Sequence, residues 1–159
     1  MPRMLSPLVL RRPDDDGFVL VEEQVLQVFV RHRQLHQDAC ESGGILLGYR
    51  RGSHLHVTEA TASLDSDQTS RTRFFRSATP HQQAALARWR ESGGTMDYLG
   101  EWHTHPENNP SPSTIDMRSW QHICSMRKAP MVFVIAGIQD RLWIGLGIST
   151  GLHSIPELT

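Results

Sequence analysis

"EWHTHPENNPSPSTID", residues 101–116, sets two histidines two positions apart and an aspartate eleven residues after the second. Read locally, it is a strand that stops at Pro106, a proline-punctuated loop, and a helix opening at Ser113. Alternate residues of a strand face the same side. His103 and His105 therefore aim at one point, from which both imidazoles can reach a single ion at about 2.0–2.1 Å. Ser113 is a good N-cap, and Asp116 at N3 suits the positive end of the helix dipole. The same placement lets the Asp116 carboxylate turn back toward the two histidines. Two histidines and one aspartate leave an open position for water, as catalytic zinc requires. Ser113 beside that position can donate a hydrogen bond to a developing oxyanion. A capped helix start and a zinc site are both consistent with these residues.

Outward from this stretch, "DYLGEWHTH" is the strand itself, and "STIDMRSWQHICSM" continues as a helix. "MVFVIAG" and "RLWIGLGIS" then form a closing hairpin across Gln139-Asp140. Upstream, "ATPHQQAALARWRESGG" has Pro near its start and Gly at its end, which predicts a helix. "GGILLGYRRG" and "SHLHVTEATA" read as two strands joined at Gly52-Ser53, and "LDSDQTSRTR" as a polar loop. In "FVLVEEQVLQVFVRHRQLHQ", Val21, Val25, Val28, Phe29 and Leu35 fall near one helical face, so the spacing predicts a helix from about residue 19 to 37. Residues 1–17 read as a polar N-terminal extension. No repeat, low-complexity segment or linker divides the chain. Helices interspersed with paired strands give a single α/β or α+β domain over residues 1–159, built around one mixed sheet.

The chain has 159 residues, 38% hydrophobic and 21% charged, which is ordinary for a globular protein. Sixteen basic and seventeen acidic residues leave a net charge of -1, which argues against broad electrostatic binding to nucleic acid or anionic membrane. Arg50 and Arg51 in "RRGSH", and Arg71, Arg73 and Arg76 in "SRTRFFRS", read as solvated surface. Cys40 and Cys124 make neither a disulfide framework nor a CxxC metal pair, and both are expected as buried small residues. The apolar run near the N-terminus is too short for a signal-peptide core, and "MVFVIAGI" is far below spanning length. A cytoplasmic location is expected.

Nine histidines provide an internal control. His32 and His36 have the i,i+4 spacing of a zincin helix, but "HRQLH" has Arg33 where that motif needs its glutamate. His54 and His56 repeat the H-x-H spacing with no carboxylate at a telling distance. A general base for His103 and His105 has three candidates: Glu41, Glu91 and Glu101. Glu91 ends a helix whose glycines read as a C-cap. Glu41 opens a strand in which Gly43 and Gly44 permit close backbone approach. Glu101 shares the histidine face at i−2. Spacing alone leaves Glu41 and Glu101 open.

"ESGGILLG" (41–48) followed by "HTHPENNPSPSTID" (103–116) resembles the JAB/MPN metalloprotease family, also called JAMM. The family signature is a glutamate in an ExGGxLxG setting, then H-[ST]-H-P-x6-S-x2-D, and every position is matched here. The resemblance implies a curved mixed sheet flanked by helices, with cytidine-deaminase-like layering. It implies one catalytic zinc ion bound by His103, His105 and Asp116, with Glu41 as general acid/base and Ser113 stabilising the oxyanion. Glu101 becomes a supporting or solvent residue. Catalytically dead MPN scaffolds lose one or more of these five residues, whereas this chain keeps them all.

The compact chain is most similar to the bacterial JAB deconjugases of type II CBASS anti-phage operons. These act on a cGAS-like nucleotidyltransferase (CD-NTase) attached through its own C-terminus to target amines. The implied partners are a protein with an extended C-terminal tail and, as functional neighbours, E1/E2-like conjugation enzymes. An extended tail would pair its main chain with a strand edge. Arg71, Arg73 and Arg76 would line such a groove or belong to a solvated loop, and Trp102 reads as core. Two other readings are a JAB peptidase that trims a ubiquitin-like or sulfur-carrier precursor, and a non-catalytic MPN interaction scaffold.

Overall fold

The centre of the sheet is formed by β7 (Asp97–Thr104), which carries residues 101–104, and its antiparallel neighbour β3 (Gly43–Arg51). The computed structural model describes residues 6–34, 40–62, 68–69, 74–75 and 78–156. In chain order the other elements are β1 (Leu8–Arg11), β2 (Phe18–Val21), α1 (Glu23–His32), β4 (His54–Ala60), β5 (Gln68–Thr69), β6 (Phe74–Phe75), α2 (Ala78–Glu91), α3 (Thr114–Met126), β8 (Met131–Ala136), β9 (Leu142–Ile148) and β10 (Gly151–Ser154). Among the described residues, eight strands form one sheet in the order β1-β2-β4-β3-β7-β8-β9-β10, and β5 and β6 form a separate two-stranded sheet. The sheet is mixed because β2–β4 and β7–β8 run parallel. The α+β expectation holds.

The sheet separates two cores, and β8 shows how the sequence does it. All six residues of "MVFVIA" are buried. Val132, Val134 and Ala136 face a core shared with Val25, Leu26 and Phe29 of α1 and Trp102 of β7. Met131, Phe133 and Ile135 face a second core with Trp120 of α3 and Tyr98 of β7. Burying each such aliphatic side chain contributes about 1.5–3 kcal/mol. Leu10 of β1 and Leu146 of β9 share the first core although they lie near opposite ends of the strand order, so the sheet is strongly curved. Gly100 lets β7 and β8 pair closely, since a Cβ there would sit 1.6 Å from the Val132 carbonyl oxygen.

Several expectations need correcting. The helix expected from residue 19 is a strand, β2, followed by a helix starting only at Glu23; residues 35–37 lie outside the described residues. Val19 and Val21 are buried with period two, whereas Val25 and Phe29 follow a helical spacing. Leu8–Arg11, expected in a polar extension, form an edge strand paired with β2. Buried Arg12 secures that hairpin through Asp14 and the Ser53 carbonyl. The final hairpin gains a third strand, β10, paired with β9. The expected loop of residues 64–73 contains β5, and the positions of Arg71, Arg73 and Arg76 lie outside the described residues.

Candidate metal centre

β7 delivers His103 and the residue after its end, His105, to one place. The two Nε2 atoms lie 3.1 Å apart, and both rings are more than nine-tenths buried. The His105 N–H donates to the Ala136 carbonyl at the end of β8, which extends strand geometry one residue past β7. From the other side, α3 supplies Asp116. Its Oδ2 is 3.2 Å from His103 Nε2 and 3.2 Å from His105 Nε2. Ser113 caps this helix: its Oγ accepts from the Asp116 N–H at 3.1 Å, and its own N–H donates to Asp116 Oδ2 at 2.8 Å. The helix cap and the triad are thus one construction, because the reciprocal bond aims Asp116 Oδ2 at the histidines. Ser113 is exposed, and its hydroxyl proton remains free to donate elsewhere.

Glu41 arrives on the segment entering β3. Gly43 pairs with His103 in the sheet, and the Thr104 N–H donates to the Ser42 carbonyl at 2.8 Å. Thr104 Oγ1 accepts from the Ser42 N–H at 2.9 Å and donates to Gln34 at 3.0 Å, which ties the Glu41 segment to β7. Gly44 allows the necessary approach, since a Cβ there would lie 2.2 Å from the Thr61 carbonyl oxygen. Glu41 Oε1 ends 3.8 Å from His103 Nε2 and 4.0 Å from His105 Nε2. Its Oε2 is buried without a hydrogen-bond partner among the described residues. The structure therefore brings Glu41 to the histidines, whereas the Glu101 carboxylate accepts from the Tyr98 hydroxyl at 3.2 Å. Glu91 lies at the end of α2, paired with Arg88.

The electrostatics follow from this crowding. Burial pushes the Glu41 carboxyl up to about 8; His105 opposes that shift and Asp116 adds to it. Burial acts against ionised Asp116 as well, but hydrogen bonds from His103 and His105 outweigh it and hold its carboxyl well below the usual range. Burial likewise opposes a charged His105, yet Asp116, Glu41 and Glu107 together raise its pKa.

These residues fit a metal ion. Two imidazole nitrogens and one carboxylate oxygen face one another at 3.1–3.2 Å, and a proton can bridge only one such pair at a time. A regular tetrahedron of that edge has its centre about 1.9 Å from each corner, near the zinc–imidazole distance of about 2.0–2.1 Å. Glu41, His103 and His105 also cluster within 4.8 Å. Asp116 is the nearer carboxylate to both rings, at 3.2 Å from each, with Glu41 Oε1 at 3.8 and 4.0 Å.

His32, His54 and His56 have structural partners. His54 Nδ1 accepts from the Phe18 N–H at 3.0 Å, and His56 Nε2 lies 2.6 Å from Glu22. His32 bonds to the Val28 carbonyl one turn earlier in α1, and His36 lies outside the described residues. Trp102 is core, donating its indole N–H to the Thr61 carbonyl at 2.8 Å. Cys124 is half-buried, whereas Cys40 is exposed and corrects the expected burial. Extended backbone alternates, so with Glu41 turned inward Cys40 turns outward. Two supporting residues were not anticipated. Glu107 Oε1 sits 2.8 Å from His105 Nδ1. Trp120 packs on the His103 ring at 5.3 Å and stacks on Phe133 and Trp143 behind it. Trp120 had a legible signal, lying four residues after Asp116 on the same helical face.

Residues 22–144 match the family described as prokaryotic homologs of the JAB domain. The chain belongs to that family. Among its relatives is a "CD-NTase/cGAS isopeptidase" of Escherichia coli strain TW11681, 38% identical over 144 residues and covering 91% of each chain. Another protein of the same description, from Pseudomonas aeruginosa strain BWHPSA011, is 39% identical over 145 residues, covering 89% of this chain and 91% of that one. In fold, this JAB chain is similar to a Desulfitobacterium hafniense protein solved in solution. That likeness has a TM-score of 0.57 at 23% identity, over 86% of this chain and 88% of the other. Among the described residues no helix is long and apolar enough to cross a membrane.

Proposed function

We propose that this JAB protein is a zinc-dependent isopeptidase that hydrolyses the amide joining the C-terminus of a CD-NTase to a target amine. This activity would reverse conjugation in a CBASS antiviral system. The observation that carries the reading is the triangle of His103 Nε2, His105 Nε2 and Asp116 Oδ2, with buried Glu41 beside it. Two isopeptidase relatives aligned over about nine-tenths of the chain support the substrate class.

His103, His105 and Asp116 would hold the ion. Zinc in such a site polarises a scissile carbonyl and acidifies a water near neutral pH. Glu41 takes the proton of the attacking water at a carboxylate oxygen and delivers it to the amide nitrogen, which leaves as an amine. Burial raises the affinity of Glu41 for that proton, which suits a group that must accept it and then give it up. The Ser113 hydroxyl donates to the carbonyl oxygen as negative charge develops there. Water adds across one bond, giving a free CD-NTase carboxyl terminus and a free amine.

The test is intact-mass analysis of a CD-NTase amide-linked through its C-terminus to a lysine, incubated with wild-type and Glu41→Gln proteins. Cleavage directly after the C-terminal residue by wild type, absent with chelator and in Glu41→Gln, is expected. An intact conjugate alongside trimming of a ubiquitin-like or sulfur-carrier precursor would replace this reading with precursor processing.

A further inference from the structure

The two histidines are oriented by different means. His103 rests against the Trp120 ring. His105 is gripped by a carboxylate two residues further on, with Glu107 Oε1 2.8 Å from Nδ1. Glu107 lies in the loop after β7 at a position the signature leaves free. That loop is itself anchored: the Ile138 N–H donates to the Glu107 carbonyl at 2.9 Å, and Pro110 is buried. A Cβ at Gly137 would meet the Glu107 carbonyl oxygen at 2.6 Å and Pro110 Cδ at 2.9 Å, so the loop sits tightly on the turn after β8. The carboxylate is therefore held by its backbone, with its side chain 46% exposed.

The geometry points to Glu107 as a positioning residue for the metal centre: it accepts the Nδ1 proton of His105, so that the Nε2 lone pair faces His103 and Asp116. Which imidazole nitrogen carries the proton is set by the hydrogen bond the other makes. A carboxylate on the far nitrogen fixes the ring plane and raises the basicity of the liganding nitrogen, and losing such a partner typically weakens metal binding by about 10–100-fold. Glu107 contacts the His105 nitrogen that faces away from His103 and Asp116, so its effect appears first in metal affinity. This inference rests on the reading of His105 as a ligand.

The experiment is zinc titration of the full chain against a chromophoric chelator, comparing wild type, Glu107→Leu, Glu107→Gln, Asn108→Leu and His105→Ala. Glu107→Leu is expected to weaken zinc binding by about 10–100-fold. Glu107→Gln, whose amide oxygen still accepts from Nδ1, falls between it and wild type. Asn108→Leu, in the same exposed loop, binds as wild type does. Zinc-saturated Glu107→Leu regains most of its turnover. Wild-type affinity in Glu107→Leu, with binding lost in His105→Ala, overturns the role of Glu107 and leaves the metal centre standing. Wild-type affinity in both overturns the metal centre as well.

Discussion

Replacing Ser113 by alanine separates its role as helix cap from its proposed role at the oxyanion. The Oγ accepts the Asp116 N–H at 3.1 Å, and removing an N-cap acceptor costs about 1 kcal/mol, within a range of about 0.5–2. For a domain of this size that lowers Tm by about 2–4 °C. The reciprocal bond, from the Ser113 N–H to Asp116 Oδ2, is a main-chain bond and survives, so Asp116 stays aimed at His103 and His105 and zinc remains bound. A domain with about 5–15 kcal/mol of stability remains almost wholly folded after a loss of 1 kcal/mol. The cap therefore explains none of a large kinetic defect. If the hydroxyl also stabilises the oxyanion, kcat falls by about 10²–10³-fold. Ser113→Gly sharpens the contrast, because glycine is a tolerable N-cap costing only a few tenths of a kcal/mol while removing the same hydroxyl. The assay pairs urea unfolding with single-turnover cleavage of the conjugate, each at saturating zinc. A Ser113→Ala protein that loses about 1 kcal/mol yet cleaves within about threefold of wild type would refute the oxyanion role and leave Ser113 a cap alone.

Three further predictions follow from the same geometry. The metal-free protein should lose stability as pH rises from about 4.5 toward 8. Glu41 keeps its proton in the fold where the unfolded chain releases it, and the raised His105 acts in the same direction. Glu41→Gln should flatten that slope in urea titrations with chelator present, and an unchanged slope would exclude Glu41 as its source. The His54→Ala and His56→Ala proteins should bind zinc as wild type does, since these side chains serve Phe18 and Glu22; metal analysis after dialysis checks this. Trp120→Ala removes the wall behind His103 and should cost about 3–5 kcal/mol in urea unfolding while weakening zinc binding. A loss below about 1 kcal/mol would show that the aromatic stack is not a structural support.

Residues 101–116 were legible because local chemistry marks the elements there: Pro106 follows a strand, Ser113 caps a helix, and His103, His105 and Asp116 fall at those two ends. The beginning of the chain was not. Val21 fits the helical face of Val25 and Phe29 as well as an alternating strand, and Glu22, the N-cap of α1, makes no side-chain cap that would have marked the helix start. Leu8–Arg11 is a four-residue edge strand whose pairing with β2 comes from the tertiary fold rather than from its own pattern. Glu41 and Glu101 could not be ranked by spacing, because the decisive fact is the pairing of Gly43 with His103 across two strands. Glu107 had no periodic signal at all, since it belongs to a loop whose path is set by contacts with Gly137 and Ile138.

The most direct test of the account is zinc content and turnover measured together in Glu41→Gln and Asp116→Asn. Glu41→Gln should retain one zinc per chain and cleave no conjugate. Asp116→Asn should lose metal and cleavage together. Zinc lost from Glu41→Gln but kept by Asp116→Asn would make Glu41 the ligand, exchange the two carboxylates, and contradict the central claim.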